Sequence, residues 1–251
     1  MTSGRQGWSL FECVLMIALM AVVVAMLVPS LRRFHEAALD VRCKSNLRQL
    51  AMACTEYARN TGRFPWGSRR MDGYSSYCWD FKRRNGESAY EPGDLWQGYR
   101  AGDIVQCPKC RQAYDNWDGN GHTGYNYNCA YVGKVEGDRA MRREPLEFDR
   151  VRFPERLLLF GDGGYAGGVN KFMRAPQASR SYDYSSAGIR EAGTQAFRHL
   201  GHTNVAFADG HVESISRPYT SGGREGWVSP TARTGFVDAS NDMYGKAVLE
   251  P

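Results

Sequence analysis

No stretch of this 251-residue chain concentrates charge of one sign: 32 Lys and Arg and 27 Asp and Glu are scattered along it and leave a net charge of +5. Nucleic-acid binding draws on counterion release along a continuous basic face, so this distribution argues against nucleic acid as a partner. Lysine is scarce, six residues against 26 arginines. The sequence also lacks a Gly-x-x-x-x-Gly-Lys phosphate loop, a His-Glu-x-x-His pair and a Gly-x-Ser-x-Gly elbow, which removes the commonest nucleotide-binding and hydrolytic sites. Gly161-Asp162-Gly163-Gly164-Tyr165-Ala166 fits a dinucleotide fingerprint formally, but Gly167-Gly168-Val169-Asn170 follows, and that run cannot start the helix whose N-terminus holds a pyrophosphate. No catalytic residues are expected.

Glycine and aromatics are abundant instead, 28 Gly with 14 Tyr, 11 Phe and 6 Trp. With 42% hydrophobic residues, the length suffices for one turn-rich sheet domain and an appendage. The appendage is plain: Trp8 to Val28 reads WSLFECVLMIALMAVVVAMLV, with Glu12 as its single charge. As a helix this run covers about 30 Å, the thickness of a bilayer's hydrocarbon core. Its short flank MTSGRQG and its exit Pro29-Ser30-Leu31-Arg32-Arg33 carry no small-x-small cleavage site of a secretory signal. A carboxylate at membrane depth costs about 3 kcal/mol and needs a partner. One turn further on stand Leu15 and Met16, so the counter-charge is expected from another chain. Cys13 reads as a small packing hydrophobe.

Gly7-Trp8-Ser9-Leu10-Phe11-Glu12 followed by an apolar run to Pro29 resembles type IV prepilins and the pseudopilins of type II secretion. The resemblance implies that a prepilin peptidase cuts after Gly7, that Trp8 becomes an N-methylated N-terminus, and that Glu12 is the acidic residue used in assembly. A new ammonium group at Trp8 of a neighbouring subunit supplies the charge that Glu12 lacks. An ordinary signal anchor with Glu12 near the headgroups is the bland alternative. The resemblance implies a cytoplasmic N-terminus on a single-pass inner-membrane helix, with the remaining chain periplasmic or extracellular.

Past Pro29, which is expected to kink or loosen the helix, Leu31, Phe34, Ala38, Val41, Leu47, Leu50, Cys54 and Tyr57 recur at three- and four-residue steps, a helix stripe. Asn60-Thr61-Gly62 before Phe64-Pro65 is a helix stop. Residues 66–100 read as loop with short elements. Strand-like runs follow at Ile104–Pro108, Gly124–Asn128 and Arg156–Asp162. Thr203–Ile215 is a hairpin around Asp209-Gly210. Together these give an α+β chain: leader 1–7, membrane helix 8–28, amphipathic continuation 29–60, an antiparallel β-rich domain with long loops 61–216, and a loop-like extension 217–251.

Cys43-Lys44-Ser45-Asn46-Leu47-Arg48-Gln49-Leu50-Ala51, with Gly62-Arg63-Phe64-Pro65 and His199 ten residues before Asp209-Gly210, is similar to prepilin-like proteins that end in His-x9-Asp-Gly. The pilin-like fold is an expectation from that resemblance.

Asp162, His199, Asp209 and His211 offer two carboxylates and two imidazoles, a donor set suited to a divalent cation such as Ca2+ or Zn2+. Alternatively Asp209 only makes the turn and His199 is held by a backbone carbonyl. Cys107-Pro108-Lys109-Cys110, with Cys78, Cys129 and His122, fits disulfides, a zinc site or free thiols. Cys43 and Cys54 lie about 16 Å apart on one helix and read as packing residues. The implied role is a pseudopilin subunit of a type II secretion pseudopilus or type IV pilus-like fibre. Its partners are then the prepilin peptidase, other pilin-like subunits, the assembly machinery and the membrane. The alternative is a membrane-anchored periplasmic binding module that does not polymerise.

Overall fold

The computed structural model describes residues 9–96, 106–110, 123–135, 144–164, 168–176, 193–220 and 233–245. Gly7 and Trp8 lie outside these residues, as does His122. One helix, α1, runs from Leu10 to Thr61. Its 52 residues extend about 78 Å at the standard rise. Ser9 and Glu12 start it with a reciprocal capping box: the Glu12 amide donates to Ser9 Oγ at 3.2 Å and the Ser9 amide donates to Glu12 Oε2 at 2.8 Å. Glu12 thus has a hydrogen-bonding partner inside its own helix, although not a cationic one. The helix passes through Pro29 without a break in its assignment, and Ser30 Oγ donates to the Met26 carbonyl at 3.3 Å. Gly62 ends it at φ 80°, a left-handed conformation that a Cβ disfavours.

Residues 9–35 are all exposed. This half is long and apolar enough to cross a membrane. Only the outer end docks, through Asp40, Cys43, Asn46, Leu47, Leu50, Ala51, Cys54 and Ala58. The sequence stripe is therefore corrected at its near end: Leu31, Phe34 and Val41 are 62%, 73% and 65% exposed. The domain covers too little of the helix to reach the first two, and Val41 lies off the docked face.

That face packs on a five-stranded sheet of order β6-β4-β5-β8-β9. Its strands are β4 (Tyr125–Asn128), β5 (Leu158–Asp162), β6 (Phe172–Met173), β8 (Thr203–Phe207) and β9 (Val212–Ile215). The sheet is mixed rather than antiparallel, because the edge strand β6 runs parallel to β4. Central β5 pairs with β4 at Tyr125↔Asp162 and with β8 at Gly161↔Val205, with an extra residue between Leu158 and Phe160. Such a bulge turns successive side chains toward one face, and Leu159 and Phe160 both join the helix-side core with Leu47, Leu50 and Cys54.

Both sheet faces are covered. Leu158, Val205 and Phe207 point away from α1 into a second core with Phe236, Val237 and Tyr244. The extension after residue 216 is thus not merely loop: β10 (Thr234–Gly235) pairs with β7 (Gln195–Ala196), and Asn128 Nδ2 donates to the Tyr244 and Leu158 carbonyls, each at 2.7 Å. The reason is the sheet itself, whose second apolar face needs a cover. Val237→Ala is expected to cost about 2 kcal/mol, two buried methyl groups, in urea denaturation of the detergent-solubilised chain. An unchanged midpoint would remove the segment from the core.

Residues 66–100 contain a small antiparallel sheet, β1 (Tyr74–Tyr77), β2 (Phe81–Arg84) and β3 (Glu91–Pro92). Buried Trp79 joins it to the main sheet, with ring centroids 6.0 Å from Tyr127 and 5.2 Å from Phe160.

Candidate metal centre

Where the docked half of α1 begins, three polar or thiol residues share its buried face at three-residue steps: Asp40, Cys43 and Asn46. Opposite them lie the end of β5 at Asp162, the Cys107 segment and the turn at His199. Cys43 Sγ, Cys107 Sγ, an Asp162 carboxylate oxygen and a His199 ring nitrogen all lie within 4.8 Å of one another, and all four residues are buried. Cys43 Sγ is 3.8 Å from Cys107 Sγ and 3.0 Å from Asp162 Oδ1. His199 Nε2 is 3.6 Å from Cys107 Sγ and 3.5 Å from Asp162 Oδ1. This cluster has the donor types and proximity to hold a metal ion.

Each donor is held from its own element. Asp162 Oδ2 accepts the Asn204 amide of β8 at 2.8 Å, which leaves Oδ1 facing the cluster and Arg198 Nη2, 3.3 Å away. His199 opens a two-residue turn through Leu200 and Gly201, at φ 49° and 89°, with His199 and His202 exchanging backbone hydrogen bonds. Positive φ at both central positions is the type I′ signature, and residues facing each other across such a turn project to one side. The two imidazoles therefore both reach toward α1, His202 Nε2 donating to Asp40 Oδ1 at 2.9 Å. The Cys107–Cys110 turn closes through the Cys110 amide to the Cys107 carbonyl at 2.9 Å. It lies against Gly124, where a Cβ would stand 2.9 Å from Cys107 Cβ and 2.8 Å from Cys110 Cβ. Lys109 anchors the same turn to α1 through Glu36 and to the Arg198 carbonyl at 2.8 Å.

The electrostatics are uneven. Hydrogen bonds from the Cys110 and Cys43 thiols push the Cys107 thiol far below its ordinary range, against burial. Burial and the bond given to Cys107 push Cys43 up. Donation to Cys107, with burial, pushes Cys110 up as well. Burial disfavours a charged His199, but bonds to Asp162 and Cys107 outweigh it and raise the imidazole to about 9. These bonds favour the thiolate, the form that binds metals, at Cys107 over its neighbours.

The sequence-derived donor sets are only partly assembled. Asp162 and His199 meet, as expected. Asp209 and His211 are not in the cluster and pair with each other at the β8–β9 turn, Nδ1 to Oδ1 at 2.6 Å, with the His211 ring stacked 4.3 Å from Phe207. The turn is why: Gly210 takes φ 90° and its amide bonds the Phe207 carbonyl, while Asp209 Oδ1 accepts the His211 amide. Cys107 and Cys110 are adjacent, whereas buried Cys78 and Cys129 sit in the helix-side core, and all seven cysteines are thiols. From the sequence Cys43 reads as a packing residue of the helix, but its thiol lies in the cluster. The signal that marks it is the polar company of Asp40 and Asn46 on the same face. Comparison with protein-family models, with curated proteins and with solved structures finds no match to this chain.

Proposed function

We propose that this chain is a prepilin-like (pseudopilin) subunit, cut after Gly7 and N-methylated at Trp8, that assembles through its N-terminal helix into a type II secretion pseudopilus or type IV pilus-like fibre. The supporting observation is an apolar helix segment, residues 10–28, exposed throughout on a helix whose outer end is docked. Apolar surface of that extent requires lipid or other helices around it. Leu31, Phe34 and Val41 continue it beyond membrane length, where lipid no longer serves and a neighbouring subunit's helix does. The role is structural rather than catalytic. The helix crosses the inner membrane once, with its N-terminus cytoplasmic and the sheet domain on the periplasmic or extracellular side. The partners are the prepilin peptidase, like subunits and the assembly machinery.

The capping box fits this reading, because Ser9 and Glu12 both remain after cleavage at Gly7. The box supplies Glu12 with a hydrogen bond but no positive charge, and the amine freed at Trp8 of an adjacent subunit supplies that charge. Mass spectrometry of the chain purified from its native membrane is expected to find Trp8 first, carrying one methyl group. An intact Met1, or a cut beyond the apolar run, overturns the processing step. A membrane-anchored binding module, the second reading, is favoured by the buried donor cluster alone and predicts no dependence on Glu12.

A further inference from the structure

We propose that Cys43, Cys107, Asp162 and His199 bind one Zn2+ ion, which pins the membrane-proximal end of the docked helix to the sheet domain. The distances carry the argument. A tetrahedral ion with Zn–S of about 2.3 Å and Zn–N or Zn–O of about 2.1 Å sets two sulfurs about 3.8 Å apart, sulfur and nitrogen about 3.6 Å, and nitrogen and oxygen about 3.4 Å. The corresponding separations here are 3.8, 3.6 and 3.5 Å. Cys43 to Asp162, at 3.0 Å, is tighter than such an edge, and all four donor atoms lie within 4.8 Å of one another.

The donors crowd most closely around Cys43. Cys43 has one proton, yet its sulfur meets the Cys107 sulfur, the Asp162 carboxylate and the Tyr125 hydroxyl. Two sulfurs and a carboxylate oxygen converge in a place from which water is excluded, and a cation satisfies all of them at once.

The surroundings add a second, independent pointer. His199 is 1% exposed and its Nδ1 has no hydrogen-bond partner among the described residues. Nε2 faces the donors while Nδ1 points toward Asp40 Oδ1, 3.8 Å away. A metal-bound imidazole presents its other N–H to a carboxylate in this way. A small approach of Asp40, already fixed by Asn204 at 2.7 Å and Lys44 at 2.8 Å, completes that bond. Two thiolates and a carboxylate exceed the ion's charge by one, which Arg198 beside Asp162 balances. Sulfur and imidazole select a borderline ion over Ca2+, which takes oxygen ligands. Four protein donors close the site, the arrangement of structural rather than catalytic zinc.

The test uses the full-length, detergent-solubilised chain. Elemental analysis after purification without chelators is expected to find one zinc per chain. After chelation under reducing conditions, one Co2+ per chain is expected to restore thiolate-to-cobalt charge-transfer absorption and the visible bands of a tetrahedral site. Cys43→Ser should halve the charge-transfer band, and Asp40→Asn should weaken Co2+ binding about 10- to 100-fold while the band persists at saturation. Asp209→Asn and His211→Ala should change neither. Cys110→Ser should keep the band, since Cys110 donates to Cys107 rather than to the metal. A wild-type chain that gives no cobalt–thiolate absorption overturns the proposal without recourse to any variant. So does a Cys43–Cys107 disulfide in the protein as purified, and loss of the band in Cys110→Ser overturns the ligand assignment. None of these outcomes depends on whether the chain polymerises.

Discussion

Glu12→Gln is expected to leave membrane insertion intact while fibre yield falls by roughly two orders of magnitude. The substitution isolates charge from hydrogen bonding, because glutamine fills the same place in a Ser-x-x-Glu/Gln capping box. The Ser9 amide that donates to Glu12 Oε2 at 2.8 Å keeps its acceptor. What disappears is the free-energy difference between an unpaired carboxylate in lipid and one paired with an ammonium group. That difference is about 3 kcal/mol, or about a hundredfold in an assembly equilibrium. Glu12→Ala should lose a further ~1 kcal/mol from the helix start. The measurement is fibre sheared from cells, normalised to subunit in the membrane fraction. Fibre at wild-type yield from the Glu12→Gln chain sinks the assembly role and favours an anchored module.

Asp80→Ala is expected to destabilise the domain by about 3–5 kcal/mol, the cost of leaving one buried charge without its partner. Lys171 Nζ lies 3.1 Å from Asp80 Oδ1, with the side chains 5% and 0% exposed. Burial drives the Asp80 carboxyl upward even against this cation, so the pair is held at a desolvation cost rather than as a source of net stability. The pair joins the β1–β2 connection to the lead-in of β6, where Trp79 Nε1 also donates to the Lys171 carbonyl at 3.0 Å. Combining Asp80→Ala with Lys171→Met removes the second buried charge as well and should recover most of the loss in a double-mutant cycle. Chemical denaturation of the single and double variants checks it. A single variant within about 0.5 kcal/mol of wild type means the pair is open to water.

The helix from Leu10 to Thr61 and its stop at Gly62 were legible from the sequence because their signals are local. A 21-residue run with one charge set a membrane-length helix and Gly62 set its end, whereas the Ser9–Glu12 capping box at its start emerged only in the structure. The Thr203–Ile215 hairpin was legible for the same reason, since period-two alternation around Asp-Gly acts within a dozen residues. Its turn geometry was not, because only Gly210 among those two residues takes positive φ. The type I′ turn falls instead at Leu200-Gly201, where leucine gives no sequence signal for it.

The stripe on α1 failed at Leu31, Phe34 and Val41 because periodicity gives the spacing of a face and not how far a partner reaches along it. The cover over the sheet's second face was hidden for a related reason. Phe236, Val237 and Tyr244 stand among turn-forming residues and acquire their burial only from strands far earlier in the chain.

The amino-acid order alone determined a long helix whose first half is apolar enough to cross a membrane, a sheet-bearing domain, and Asp162 and His199 as candidate donors. Tertiary structure decided which donors share a site. Cys43 and Cys107 are 64 positions apart and Cys43 and Asp162 are 119 apart, so their meeting depends on how α1 lies across β5. Asp209 and His211 seemed as eligible by residue type, but a tight turn two residues wide binds them to each other. Ligand chemistry is a property of residue types, whereas convergence is a property of packing, and only the second separates a metal centre from a turn.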